Sequence, residues 1–211
     1  MFFFGTKIPN VLEWTIQKNN RQPKVGKKKC DLVGYPEMRA NFIVVKGTIY
    51  QLVDNFTLFY FRFMEQKQDS NFWIRTIGKT AYNVWCGLAF ERVCFQHVEQ
   101  IKKALGISGV ISNVYSWIFR AQNADEQGVQ IDMFIDREDD TINLCEIKYS
   151  DEKYKITKSY ADDLNRKVSI FKTKTHTRKA VFTVMITTKG LFDNPYARDV
   201  QGQVAMEEMF E

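Results

Sequence analysis

Apolar and polar residues alternate along most of residues 127–149, QGVQIDMFIDREDDTINLCEIKY. A period of two predicts β-strands, and the short acidic stretch 136–140 between the two runs is typical of a turn, which predicts a hairpin. Three charged side chains interrupt the apolar pattern, Asp132 in the first strand and Glu146 and Lys148 in the second. Charges inside apolar strands are costly to bury, so each needs a compensating partner.

Apolar positions recur at helical spacing in a long segment before the hairpin. A helix is predicted over 84–105, with Asn83 as its cap and Gly106 as its end. Its apolar stripe consists of Phe90, Cys94, His97, Ile101 and Leu105. A second, mostly polar helix is predicted over 159–175.

Further strands are predicted on both sides of the hairpin. One covers 112–120, and the other, 180–188, is apolar almost throughout, which favours an interior position in a sheet. A turn at 193–195 and a short amphipathic segment, 203–210, follow. The order helix, strand, strand, strand, helix, strand predicts an α/β fold with a mixed sheet flanked by helices.

The pattern before residue 75 is weaker. Residues 1–46 look irregular and contain three of the four prolines, with a short helix predicted over 11–18. Two strands are predicted within 41–53, on either side of a turn at Lys46-Gly47.

An aromatic segment, NFTLFYFRFMEQKQ, follows these strands. It is predicted to be a helix over 55–68 with Asp54 or Asn55 as its cap. Because the segment is apolar on most sides, its aromatic side chains are expected to be buried between elements.

Composition places the chain among ordinary globular proteins. With 211 residues, 45% of them hydrophobic and 26% charged, it is long enough for one core, or for one core and a small appendage. No apolar run approaches the ~20 residues that span a bilayer, and the start lacks the features of a signal peptide. The four cysteines, Cys30, Cys86, Cys94 and Cys145, show no paired spacing, so free buried thiols and a cytoplasmic location are expected.

The net charge of +5 is unevenly distributed. Residues 153–179 hold nine Lys and Arg against two Asp, and residues 18–46 hold eight against two acidic residues. Basic segments of this kind suit a polyanionic partner such as DNA, although a solvated basic face is an equally good interpretation of the charge alone.

The chemistry of the hairpin depends on its register. A three-residue loop would pair Arg137 with Thr141, so that Asp132 faces Glu146 and Gln130 faces Lys148 on one side of the sheet. A two-residue loop would instead turn Glu146 to the opposite side.

In the first register the two carboxylates can hold a divalent cation, Mg²⁺ or Mn²⁺, which is the type of ion that phosphodiester cleavage requires. Lys148 would then orient or help deprotonate the attacking water, with a pKa lowered by partial burial. A purely structural ion cluster is the alternative.

A carboxylate followed about a dozen residues later by carboxylate-x-Lys resembles the PD-(D/E)XK nuclease superfamily, with Ile131-Asp132 in place of the usual Pro-Asp. The resemblance implies a restriction-endonuclease-like core and makes Glu91, on the preceding helix, a third metal or water ligand. A Glu on a helix flank is otherwise usually solvated.

A narrower resemblance extends over about residues 50–211. The strings AFERVC, QIKKALGI, GVQIDMFIDR, INLCEIKYS and MITTKG are similar to the C-terminal nuclease-like domain of a family of prokaryotic AAA-type ATPases. It implies a division into a basic N-terminal segment, 1–40, a winged-helix remnant with a linking helix, 41–72, and a nuclease-like domain, 73–211.

The sequence shows no ATPase module. Gly78-Lys79-Thr80 resembles the end of a phosphate-binding loop, but Trp73 replaces its first glycine and the Gly-rich loop between a strand and a helix is missing. No ATP site is therefore expected. A separate ATPase partner and a homodimer remain open, and no membrane association is expected.

The polar helix and the first hairpin strand supply further candidates. Tyr160, Arg166 and Lys167 are candidates for contact with DNA phosphates, and Gln130 is a candidate for lining the site. Each has an ordinary interpretation as a solvated helix or strand residue. Two other functions also remain, a non-catalytic module that binds DNA or protein, and an accessory fragment of an AAA-type ATPase.

Overall fold

The structure is a computed structural model that describes residues 54–65, 71–121, 123 and 126–210, together with the backbone of three strands nearer the N-terminus. The chain divides into two compact units, and within the described residues their boundary lies between Ile77 and Gly78. None of the helices in this part of the chain is long and apolar enough to cross a membrane.

The first unit contains a small antiparallel sheet of strand order β1-β3-β2. Its elements are β1 Ile16–Lys18, β2 Phe42–Val45, β3 Thr48–Leu52, α1 Asn55–Phe59, a π-helical turn Tyr60–Met64 and α2 Phe72–Thr76. The pairing of Val45 with Thr48 confirms the predicted hairpin, whose turn residues lie outside the described ones.

The helix predicted over 11–18 is wrong at its end, because Ile16–Lys18 forms a strand; the rest of that segment lies outside the described residues. The strand pairs with β3, a partner more than 30 residues away, which a local pattern does not reveal. The predicted cap Asp54 is confirmed, because its Oδ2 accepts a hydrogen bond from the Thr57 N–H at 2.7 Å.

The aromatic segment is less buried than its pattern predicts. Leu58 and Phe63 are buried, but Phe56 is 70% exposed and Phe61 is 50% exposed. The helix gives way after five residues to a π-helical turn, so its apolar side chains point in several directions and neighbours cover only some of them.

The second unit is built on a five-stranded mixed sheet of order β4-β5-β6-β7-β8. Its elements are α3 Thr80–Gln96, α4 Val98–Ala104, β4 Ser112–Phe119, β5 Val129–Arg137, β6 Thr141–Lys148, α5 Lys158–Thr175, β7 Ala180–Thr187, β8 Gly202–Ala205 and 3-10 turns at Ala197–Asp199 and Met206–Met209. The β4–β5 and β5–β6 pairs are antiparallel, and the β6–β7 and β7–β8 pairs are parallel. This confirms the predicted α/β class and the interior position of β7.

Helices cover both faces of the sheet. On one face, Phe90, Cys94 and Ile101 of α3 and α4 pack against side chains of β5 and β6. On the other face, Leu164 and Phe171 of α5 pack in two further clusters of buried side chains. Burial of these apolar faces is the main force that holds the layers together.

The long helix predicted over 84–105 differs at two points. It begins at Thr80 rather than after Asn83, and it breaks at His97, whose φ of −110° and ψ of 31° leave the helical region. The ring of His97 lies 4.8 Å from that of Phe210, a contact that fixes this side chain at the break. Gly106, with a φ of +69°, follows the last turn of α4 as predicted.

The segment Gly78-Lys79-Thr80 leads from α2 into α3. A phosphate-binding loop instead joins a strand to a helix, so the segment has the wrong context for one.

Three of the four cysteines, Cys86, Cys94 and Cys145, are free and buried, as predicted, and Cys30 lies outside the described residues. Burial raises the pKa of the Cys94 and Cys145 thiols far above its usual value, so these side chains behave as small apolar residues.

Candidate functional site

The hairpin has the register on which the candidate chemistry depends. Met133 pairs with Cys145 and Asp136 with Ile142, which is the register of a three-residue loop, and Asp132 and Glu146 are the next residues along the two strands. The loop between the strands has three residues, and Asp140 adopts the left-handed conformation (φ +57°) that such loops require near their end. The predicted three-residue loop is therefore confirmed.

A β-bulge in β5 lies at the same place. Tyr115 of β4 pairs with Phe134 and Trp117 pairs with Ile131, so two steps along β4 correspond to three along β5. Strict alternation would separate Ile131 from Phe134, but both pack in the same cluster against α5. Bulges re-aim side chains and are frequent beside functional sites.

Asp132 lies inside this bulge and is 6% exposed. Its Oδ2 accepts a hydrogen bond from the buried Ile147 N–H at 3.1 Å, and its Oδ1 accepts one from Gln130 Nε2 at 3.4 Å. The structure thus brings Gln130 to the site, as the sequence predicted.

Lys148 lies between the two carboxylates. Its Nζ is 3.7 Å from Asp132 Oδ2 and 3.5 Å from Glu146 Oε2, so the sum of these distances, about 7.2 Å, is an upper limit on the separation of the two oxygens. The side chain of Glu146 is completely buried, whereas that of Lys148 is 30% exposed and connects the cluster to solvent.

Two residues of helix α5 contact the carboxylate of Glu146. Lys167 Nζ lies 2.7 Å from Oε1 and 2.8 Å from Oε2, and the Tyr160 hydroxyl donates to Oε2 at 3.3 Å. The sequence predicted that both residues contact phosphate groups, but it did not predict their contact with Glu146. Helical spacing could have revealed it, because Tyr160, buried Leu164 and Lys167 follow one another at i, i+4 and i+7 on one face.

Arg166 is not part of this cluster. Its Nε lies 3.1 Å from Asp163 Oδ1, one turn earlier on the same helix. Contact between Arg166 and a phosphate stays a prediction.

Glu91 lies on α3 and is half-buried. Its charge contributes to raising the pKa of Lys148, which puts the carboxylate within electrostatic reach of the hairpin cluster. Within the described ranges, however, no group of three or more His, Cys, Asp or Glu side chains is arranged to hold a metal ion. Glu91 is therefore not gathered with Asp132 and Glu146 into a three-ligand set.

The ionisation of Lys148 corrects one expectation from the sequence. Burial alone lowers its pKa, but the charges of Asp132 and Glu146 outweigh burial and leave the pKa raised. Lys148 is therefore an ammonium ion at neutral pH, which suits it to stabilise negative charge rather than to accept a proton. The sequence-based prediction of a lowered pKa considered burial but not the two carboxylates that the hairpin register places beside the amine.

For Glu146, the effect of burial on the pKa outweighs that of the neighbouring positive charges. Burial raises its pKa, the charge of Asp132 raises it further, and Lys167 and Lys148 offset only part of the increase. The four groups in contact, two carboxylates and two ammonium ions, have a formal net charge of zero. The cluster is thus compensated by protein side chains alone, which is how a structural ion cluster survives burial.

The donor set fits a hard divalent cation in one respect and opposes it in another. Asp132 and Glu146 supply carboxylate oxygens, and Mg²⁺ needs only one or two of them in addition to water and substrate oxygens. Lys167, however, already contacts both oxygens of Glu146. An ion that binds Glu146 must take over at least one of these contacts.

The basic segment 153–179 is partly exposed beside this cluster. Four of its nine basic residues form ion pairs with carboxylates, namely Arg166, Lys167, Lys174 and Lys179. The other five, Lys153, Lys155, Lys158, Lys172 and Arg178, are exposed and have no carboxylate within ion-pair distance in the described part of the chain. Two of these five, Lys153 and Lys155, lie on the loop between Lys148 and α5, and Lys158 is the first residue of α5. The second basic segment, 18–46, lies outside the described residues except for strand backbone.

Comparison with known proteins gives a family match but no activity. Residues 56–160 match the family DUF234. This family is described as archaeal and bacterial proteins of unknown function. The DUF234 match includes Glu91, the whole hairpin and Tyr160, and it ends before Lys167. No curated protein and no solved structure matches the chain.

Proposed function

We propose that this chain hydrolyses phosphodiester bonds of DNA with the help of Mg²⁺ or Mn²⁺. The observation that carries the proposal is the convergence of Asp132, Glu146 and Lys148 through the hairpin register, with Lys148 Nζ within 3.7 Å of both carboxylates. The sequence pattern of carboxylate and carboxylate-x-Lys is the one expected of PD-(D/E)XK nucleases.

Asp132 and Glu146 would hold the cation, and Glu91 would assist through the cation or a water molecule. When bound, the ion supplies positive charge that stabilises the pentavalent transition state. Lys148 acts as a fixed ammonium ion that orients the attacking water and stabilises the developing negative charge. Gln130 holds Asp132 in place through its amide.

DNA is proposed as substrate because of the charge beside the site. The exposed lysines on the loop after β6 and along α5 suit a phosphate backbone, and contacts of this kind supply affinity that does not depend on base sequence.

A non-catalytic module that binds DNA is the second candidate, and one observation favours it. Lys148 and Lys167 already pair with the two carboxylates, so the formal charge of the cluster is zero without a cation. An accessory role beside a separate ATPase remains compatible with either candidate.

The test is nicking of supercoiled plasmid by the whole chain in Mg²⁺ or Mn²⁺. Asp132→Asn and Lys148→Met should each lower the rate at least ~100-fold, as loss of an electrostatic catalytic group does. Asp193→Asn is the matched control, because this exposed carboxylate pairs with Arg198 and belongs neither to the cluster nor to the basic segment. It should leave nicking unchanged.

The binding module makes the opposite predictions. The chain would then shift DNA in a salt-sensitive manner without any metal, and substitution of Lys153 and Lys155 would weaken binding more than Asp132→Asn. Absence of nicking with either metal, combined with such binding, would overturn the proposed hydrolysis.

A further inference from the structure

Lys167 is the closest cation to the buried carboxylate of Glu146. Its Nζ contacts both carboxylate oxygens, at 2.7 and 2.8 Å, whereas Lys148 Nζ is 3.5 Å from one of them. The side chain of Lys167 is 14% exposed and that of Glu146 is 0% exposed, so this pair is largely shielded from water.

Charge balance makes this contact incompatible with a bound divalent cation. A metal ion coordinates carboxylate oxygens at about 2.0–2.6 Å, and an ammonium ion that contacts the same two oxygens would lie next to it. Two positive ions at that distance repel strongly in a site from which water is excluded. One of them must therefore move.

Lys167 has the means to move. Its ammonium group is carried by a flexible stem of four carbon atoms. Its partner Glu146 is on β6, in the interior of the sheet, and Lys167 approaches it from α5, a separate element that packs on the sheet.

We propose that Lys167 is a positioning residue that stands in for the divalent cation. In the absence of metal it contacts both carboxylate oxygens of Glu146 and holds this side chain in position, and it leaves Glu146 when the metal binds. This inference rests on the metal binding that belongs to the proposed function.

The first measurement follows the amine itself. The whole chain is acetylated briefly with an N-hydroxysuccinimide ester, with and without saturating Mn²⁺, and labelling at each lysine is quantified by mass spectrometry. Lys167 should react roughly tenfold faster or more with Mn²⁺, since a charge-assisted hydrogen bond of ordinary strength is lost. Lys172, exposed on the same helix, is the internal control and should react equally in both states.

The second measurement removes the competing ammonium ion. Lys167→Met should bind Mn²⁺ about tenfold more tightly than the wild type in calorimetry at pH 8. It should also melt at a lower temperature without metal, and saturating Mn²⁺ should reduce this deficit. Lys172→Met, the matched control, should change neither property.

Two outcomes separate this inference from the proposed function. If Mn²⁺ binds but Lys167 reacts at an unchanged rate and Lys167→Met has wild-type affinity, the stand-in role is wrong while the metal site survives. If neither the wild type nor Lys167→Met binds Mn²⁺, the proposed metal-dependent hydrolysis is wrong, and Lys167 is a permanent counter-ion of Glu146.

Discussion

Asp132 has two roles in this structure, and two substitutions separate them. Its carboxylate is a candidate metal ligand, and its Oδ2 also accepts the hydrogen bond from the buried Ile147 N–H. Asp132→Asn removes the charge but keeps an oxygen that can accept this bond. Asp132→Ala removes both.

The difference between the two variants measures the hydrogen bond. In the alanine variant a buried N–H is left without an acceptor, which costs about 1–3 kcal/mol. Loss of the charge next to Lys148 is common to both variants and cancels in the comparison. For a chain of this size the difference corresponds to a melting temperature roughly 2–12 °C lower for Asp132→Ala than for Asp132→Asn.

The assay is urea denaturation of both variants, with plasmid nicking measured in parallel. Both variants should lose nicking, while only Asp132→Ala should lose substantial stability. Asp193→Asn and Asp193→Ala provide the matched pair, because Asp193 is exposed and its carboxylate pairs with the Arg198 side chain, so they should differ by less than about 0.5 kcal/mol. Equal stability of the two Asp132 variants would refute the role assigned to the Ile147 N–H.

Two further predictions follow from ionisation of buried groups. Burial raises the pKa of Glu146 above its usual value of 4.5. The folded protein then binds more protons than the unfolded one, so this contribution to stability is complete below pH 4.5 and is lost as pH rises through the folded pKa. Urea titrations at several pH values should show that decline, and Glu146→Gln should flatten it; an unchanged slope would assign the effect to other groups. Cys94 and Cys145 should resist a thiol reagent at pH 8 until the chain is unfolded, because burial raises their pKa; rapid labelling of the native protein would contradict their burial.

Much of the second unit was predictable because its patterns are local. Alternation defined β4, β5 and β6, and helical spacing with a polar outer face defined α5. The hairpin register was predictable as one of two alternatives, since the loop length decides it. The structure selected between them.

The failures have a common cause in contacts between distant segments. The strand Ile16–Lys18 depends on β3 for its hydrogen bonds, and the break at His97 lies against the ring of Phe210, more than 100 residues away. The exposure of Phe56 depends on which neighbours cover a short helix. A local pattern contains none of this information.

The same distinction between local and distant contacts applies to the candidate site. Asp132, Glu146 and Lys148 were predictable because two adjacent strands carry them. The contact of Lys167 with Glu146 was not, since it depends on how α5 crosses the sheet. The prediction that the pKa of Lys148 is lowered was wrong for a related reason, because this pKa depends on charges that only the folded hairpin brings together.

The charge balance of the cluster links metal binding to substrate binding. The four contacting groups, Asp132, Glu146, Lys148 and Lys167, sum to zero, which suits a site with little access to water. Exchange of Lys167 for a divalent ion would leave a net charge of +1, and one phosphodiester group would restore neutrality. A buried site that tolerates only small net charge should therefore favour the metal and the phosphate together over either alone. In this view Lys167 keeps the empty site neutral, and the substrate takes over that role in the loaded one.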